Sequence, residues 1–289
     1  MSRWHRRSSS IGWKLAILVS VLVAPRTIPA EAAGFVDLFA VTTSLEEAGS
    51  ITESASPNWW VNSGGRFIQG GNVGATIRGE LPAADRWRLA YLIANPVDTD
   101  DGYHPQNVFR LIQRQLWTNG HQRVYFRVRE TNLSASPNRN ASNGVLLLNR
   151  YLDSQNLYYA GIRVDGAAVI KKKVGGQYFT LAYLKILPGT YHPTNNPNLL
   201  QKDQLIGIES RVSTNDDGSV TVALWIDRLD GGGWQLAMEA VDRGTLGGPP
   251  ITAAGHGGIR TDFMDVEFQS YRIDPIADDH LFANGFEAN

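Results

Sequence analysis

Residues 156–185, NLYYAGIRVDGAAVIKKKVGGQYFTLAYLK, set the pattern for most of this chain. Apolar and polar positions alternate there with period two, and the three-four spacing of a helix does not fit. The alternation predicts strands over Tyr158–Val164, Ala167–Val174 and Gln177–Lys185, joined by tight two-residue turns at Asp165-Gly166 and Gly175-Gly176. Tyr159, Arg163 and Asp165 fall on one face, and Tyr158, Ile162 and Val164 on the other. The segment is therefore an antiparallel meander with one apolar face and one polar, basic face.

The same texture runs from Phe35 to Ile273. Further strands are predicted at Gly65–Gln69, Ala75–Arg78, Trp87–Ile93, Val108–Gln115, Arg123–Glu130 and Gly144–Asn149. Others follow at Leu205–Arg211, Val220–Asp227, Gln235–Asp242 and Asp265–Ile273. Turn clusters such as Ser136-Pro137-Asn138 and Asn215-Asp216-Asp217-Gly218 separate them. No capped helix of three turns and no fixed-period repeat is expected, which leaves a sandwich or barrel, with two large stacked sheets favoured. Three long loops, Asn95–Asn107, Thr131–Asn143 and Pro188–Asp203, are candidates for a binding rim.

The first 32 of the 289 residues depart from this pattern. Arg3, Arg6 and Arg7 precede an apolar run, Leu15–Ala24, that is short for a bilayer, and Ala30-Glu31-Ala32 offers small residues for cleavage. Residues 1–32 are thus expected to be a secretory signal, 33–274 the β-domain and 275–289 a tail, with no membrane span once the signal is removed. The protein is then secreted, extracellular or periplasmic. The chain has 27 basic and 28 acidic residues, and the signal holds five and one of them. The remaining 22 against 27 leave a mature charge of about −5, which argues against a general nucleic-acid binder. With no cysteine, disulfides, thiolate metal sites and cysteine nucleophiles are excluded. No HExxH, GxSxG or GxxxxGK[ST] string occurs.

The meander, the first strand Phe35-Val36-Asp37-Leu38-Phe39 and a glycine-led terminal strand running Gly258 to Phe268 together resemble the concanavalin A-like lectin/glucanase superfamily. The likeness extends to its laminin-G-like and family-16-like jelly rolls and covers roughly residues 35–273. It implies an all-β, two-sheet antiparallel jelly-roll β-sandwich whose last strand pairs with the first and whose concave sheet holds a saccharide chain. The tail, closing in FANGFEAN, is similar to FxxGFE-type endings of secreted bacterial proteins.

Glucanases of that superfamily carry Glu-x-Asp-x-(x)-Glu on one strand, which places a nucleophile and an acid about 5 Å apart. Here the nearest string is Asp265-Val266-Glu267, in the last strand, and it suits an exposed face or an ion ligand better. The arginines offer more. Arg110 and Arg114, with Arg127, Arg129, Arg150 and Arg163 on neighbouring strands, interleave with Tyr125, Tyr151 and Tyr159. On a shared concave face they would line a basic, aromatic groove for an anionic polysaccharide. The substrate-binding set is then Arg110, Arg127, Arg150, Tyr159, Arg163, Trp60 and Lys172. A lyase would draw its base, proton donor and neutraliser from His104, His121, Tyr159 and Arg110. Structural calcium is a candidate at Asp37 with Asp265, as the family implies, or in the Asp98–His104 loop. The leading expectation is a lectin-like domain that binds polysaccharide. The alternatives are a lyase or atypical glycoside hydrolase of the same fold, and an adhesive domain without a sugar pocket.

Overall fold

Alternating burial builds two antiparallel sheets whose inner faces close on one core. The structure is a computed structural model that describes residues 33–276; the expected signal and residues 277–289 of the tail lie outside the described residues. The strands are β1 (Phe35–Asp37), β2 (Thr43–Glu46), β3 (Trp59–Ser63), β4 (Arg66–Gly70), β5 (Val73–Ala75), β6 (Arg110–Trp117), β7 (Gly120–Thr131) and β8 (Gly144–Asp153). They continue as β9 (Asn156–Arg163), β10 (Ala167–Val174), β11 (Gln177–Lys185), β12 (Leu205–Thr214), β13 (Val220–Asp227), β14 (Trp234–Asp242), β15 (Gly255–Thr261) and β16 (Met264–Pro275). A nine-stranded sheet runs β14-β13-β12-β7-β16-β5-β4-β2, with β1 also on β16, and a seven-stranded sheet runs β11-β10-β9-β8-β15-β6-β3. Facing sheets with the first strand paired to the last (Phe35 opposite Ile273) make the jelly-roll sandwich.

Strand β7 shows why the sheets face each other. Val124, Phe126 and Val128 are buried while Arg123, Tyr125, Arg127 and Arg129 point outward. Phe39, Phe67, Phe109, Phe126 and Phe268 fill the core with Trp59 and Tyr271. A polar knot crosses it. Gln122 donates to the Leu148 carbonyl at 2.5 Å and accepts from Gly258 N at 3.1 Å and the Tyr271 hydroxyl at 2.8 Å. A buried side chain satisfied in this way fixes one alignment of the two sheets.

Three expectations are corrected. Trp87–Ile93 is not a strand: Arg86–Ala94 forms a helix, α1, because the Asp85 side chain caps it by accepting from Trp87 N at 2.8 Å. Its one buried residue, Tyr91, donates to Glu47 and accepts from Gly64 N, and Trp87 Nε1 and Arg86 bond Glu46, which together dock the helix. The Asp165-Gly166 turn holds three residues rather than two. Gly166 alone has positive φ (75°), after a turn closed by Gly166 N on the Arg163 carbonyl, which is the three-residue hairpin geometry. Gly175 (54°) and Gly176 (85°) do make the two-residue turn. Lastly, Gly258–Phe268 is two strands in different sheets. The chain turns at Asp262-Phe263, where Phe263 adopts φ 55°, and passes from β15 to β16.

Candidate functional site

On the seven-stranded sheet the centre is buried on both faces, because the outer face carries its own apolar layer. Ile112, Leu146, Leu148, Tyr151, Leu157, Tyr159 and Val169 form it, with Trp60 packed at the side. Above this layer opens a trough of about 490 Å³. Its floor comprises Leu146, Tyr159, Lys171, Tyr178 and Arg260, and its walls Asp98, Asn107, Asn138, Asn140, Ser142 and Asn143.

Strand register assembles the floor. Arg260 lies beside Arg110 on one side and Leu146 on the other, Tyr159 beside Leu148 and Lys171, and Lys173 opposite Tyr178. Gly161 lies between Tyr159 and Arg163, and a Cβ there would meet Leu146 Cα at 2.8 Å. Two of the three long loops form the walls and are laced together by two aspartates. Asp98 accepts from Ser136 Oγ at 2.5 Å and Asn138 Nδ2 at 2.9 Å, and Asp100 from Ser134 Oγ at 2.6 Å and Asn107 Nδ2 at 3.1 Å. Burial raises the Asp98 carboxyl, but these bonds and one from Asn95 outweigh it and hold the group below its ordinary range.

Arg260 is the hub. Its Nε and Nη2 reach Asp262 Oδ1 at 2.9 and 2.8 Å, while Nη1 donates to the hydroxyls of Tyr159 (3.1 Å) and Tyr178 (2.9 Å). The two phenol rings lie 5.9 Å apart at 30°. Burial pushes the Tyr159 hydroxyl up to about 12. Burial acts on Tyr178 too, but the charge and hydrogen bond of Arg260, with the charge of Lys173, outweigh it and leave that hydroxyl below its ordinary value. Lys171 is held below a normal lysine by burial first, then by the positive charges of Arg163 and Arg260. The arrangement offers stacking surface, amide donors and acceptors, and a concentration of cations.

The candidates from the sequence divide between this face and elsewhere. Arg110, Tyr159, Trp60 and Arg163 share it. Arg110 Nε donates to Ser63 Oγ at 3.1 Å, Trp60 Nε1 to the Ala48 carbonyl at 2.8 Å, and Arg163 to the Ala141 carbonyl and Asp165. Arg127 lies on the outer face of the other sheet, 4.0 Å from Glu267, which also pairs with Arg78. Arg150 is buried and donates to the carbonyls of Thr118 and Ile251 and to Asn119 and Thr214, so it braces loops. Lys172 points into the sandwich, where it pairs with Asp242 at 2.9 Å and donates to the carbonyls of Leu246, Gly248 and Pro249. Alternation along β10 sends Lys171 to the trough and Lys172 to the core. His104 binds Asp100 (3.0 Å) behind the wall, and His121 lies 3.5 Å from Asp274 on the nine-stranded sheet.

The donor set around the calcium candidates does not suit a cation. Asp37 accepts from Phe39 N and Trp59 Nε1, each at 2.7 Å, and Asp265 from Gly79 N, Gln106 Nε2 and Asn132 Nδ2. N–H donors thus occupy directions that oxygen-only coordination would need. Among the described residues no group of three or more His, Cys, Asp or Glu could hold a metal ion. Sequence reasoning missed Arg260, Asp262, Tyr178 and the wall amides, and of the run Lys171-Lys172-Lys173 it took Lys172 where Lys171 lines the trough. The register of Tyr159 against Lys171, rather than Lys172, was the signal that could have found the lysine.

No family model matches this chain, and no curated protein matches it in sequence. Solved structures do resemble it. The carbohydrate-binding module CBM66 from Bacillus subtilis shares 10% identity at TM-score 0.41, over 60% of this chain and 84% of that one. A Bacillus licheniformis β-glucanase shares 8% at 0.44, over 85% and 99%. A protein of unknown function with a galectin-like fold, from Bacillus subtilis, shares 10% at 0.44, over 85% and 97%. With scores below 0.5, what this chain binds has to be read from its own side chains. Among the described residues, no helix is long and apolar enough to cross a membrane.

Proposed function

We propose that this chain is an exported, lectin-like carbohydrate-binding domain that holds a polysaccharide segment in the trough of its seven-stranded sheet. The observation that carries this reading is the trough itself. Asp98, four asparagines and a serine form its walls, and its floor holds Leu146, Lys171, Arg260, the buried Tyr159 and Tyr178, whose half-exposed ring is the stacking surface. Sugars need that pairing of amide hydrogen bonding and ring-stacking surface. A filled or flat face would have favoured simple adhesion, whereas about 490 Å³ is open. Export rests on the basic and apolar start of the sequence.

One observation favours a second reading, a lyase on the same face. Tyr159 and Tyr178 share one guanidinium group and are driven to opposite sides of the ordinary phenol value. Such a split separates an acid from a base. Incubation with insoluble and soluble polysaccharides distinguishes the readings. Retention without new reducing ends or unsaturated products is expected. Rising ultraviolet absorbance from unsaturated uronates would make the protein a lyase, and no retention on any glycan would refute both.

A further inference from the structure

We infer that the glycan held in the trough is acidic, and that Lys171 is the residue that meets its anionic group. This inference rests on the carbohydrate-binding reading and names its ligand class. Lys171 lines the trough at only 8% exposure, yet among the described residues its ammonium makes no hydrogen bond or ion pair. The Tyr178 ring lies 5.8 Å from it. A side chain this buried that leaves its ammonium open to the trough, with no counter-ion in contact, is placed to take one from solvent.

The surrounding charges do not supply it. Asp262 is held by Arg260, Asp165 by Arg163, and Asp98 by Ser136 and Asn138. Lys173, on the same face, donates to the Ser154 carbonyl. Arg163, Arg260, Tyr159 and Tyr178 also face this region, so cations are in excess. The next residue in the chain shows the opposite arrangement. Lys172 is fully buried and has one carboxylate and three carbonyls around its ammonium. A uronate carboxylate or a sulfate ester, entering from solvent, would complete Lys171 in the same way.

The test is retention of the mature protein on four immobilised polymers: a polyuronate, its carboxyl-reduced form, a sulfated glycan and its desulfated form. Binding to the polyuronate that is lost on reduction assigns a carboxylate, and binding lost on desulfation assigns a sulfate. Equal retention on charged and neutral forms overturns the inference and leaves the carbohydrate reading standing; no retention on any polymer removes both. Lys171→Met should weaken acidic-polymer binding about ten- to hundredfold while the folded state is kept. Lys202→Met, which removes an exposed lysine paired with Glu130 away from the trough, should not. Equal losses in the two variants would reduce the effect to overall charge and overturn the assignment.

Discussion

Lys171 and Lys172 stand one residue apart in β10, and the regions they enter treat the same ammonium in opposite ways. Inside the sandwich, Lys172 is matched by Asp242, which also accepts from the Tyr158 hydroxyl at 2.6 Å. In the trough, Lys171 is desolvated and left unmatched. The interior is complete as folded, whereas the carboxylates of the trough, Asp98 and Asp262, are bonded elsewhere and none contacts Lys171. The outer face of the nine-stranded sheet is a third case. Arginines there are exposed or half-buried and several already have acids: Arg129 with Asp203 at 2.6 Å, and Arg211 with Glu209 at 3.0 Å. Burial together with absence of a partner, rather than the number of cations, marks the binding face.

The largest effect expected is on the interior. Lys172→Met leaves the Asp242 carboxylate buried without its counter-ion and should cost about 3–5 kcal/mol in chemical denaturation. Adding Asp242→Asn should recover part of that loss, and glycan retention per folded molecule should not change. A loss of retention alone, at full stability, would erase the contrast between the two lysines.

Next comes the hub. Arg260→Gln removes the donor shared by Tyr159 and Tyr178 and should lower retention roughly tenfold or more. An ultraviolet titration should show the Tyr178 hydroxyl moving upward, because its main lowering influence is the Arg260 charge.

A smaller effect is expected from pH. The Lys171 ammonium lies below the ordinary lysine value of 10.5, so the unfolded chain binds more protons than the folded one between the depressed value and 10.5. Stability contributed by this group therefore rises with pH across that window, while affinity for an acidic polymer falls as the ammonium is lost. Tyr178 ionises in the same alkaline range and acts in the same direction on affinity, with Tyr159, Arg163, Arg260 and Asp262 also facing the amine. Comparison with Lys171→Met isolates the lysine, since that variant should lose its own share of both trends. Smallest of all, Arg127→Gln should leave retention unchanged and stability within about 1 kcal/mol, as for other partly exposed pairs.

The period-two pattern made much of the fold legible. Tyr158, Ile162 and Val164 lie in the core and Tyr159 and Arg163 on the opposite face, as alternation requires. The helix was hidden because Trp87, Leu89, Tyr91 and Ile93 also alternate, and the Asp85 cap that decides the matter is a single residue. Tyr159 could be placed from its own strand. Lys171 could not, because three consecutive lysines carry no parity until the hairpin sets their register against β9. Arg260 was obscured differently: a continuous run from Gly258 to Phe268 gives no sign of the corner at Phe263 that assigns its two halves to different sheets.

That corner has a mechanical consequence. Pull on a polymer held at Arg260 enters β15 and passes, around a two-residue bend, into β16. The latter lies antiparallel to β7 from Met264 opposite Thr131 to Pro275 opposite Gly120, and also grips β1. Load directed along such a strand strains many cross-strand hydrogen bonds together, as in shear, instead of peeling them apart one after another. A tug on the trough would thus be resisted through the length of a seam in the sheet opposite the one that carries it.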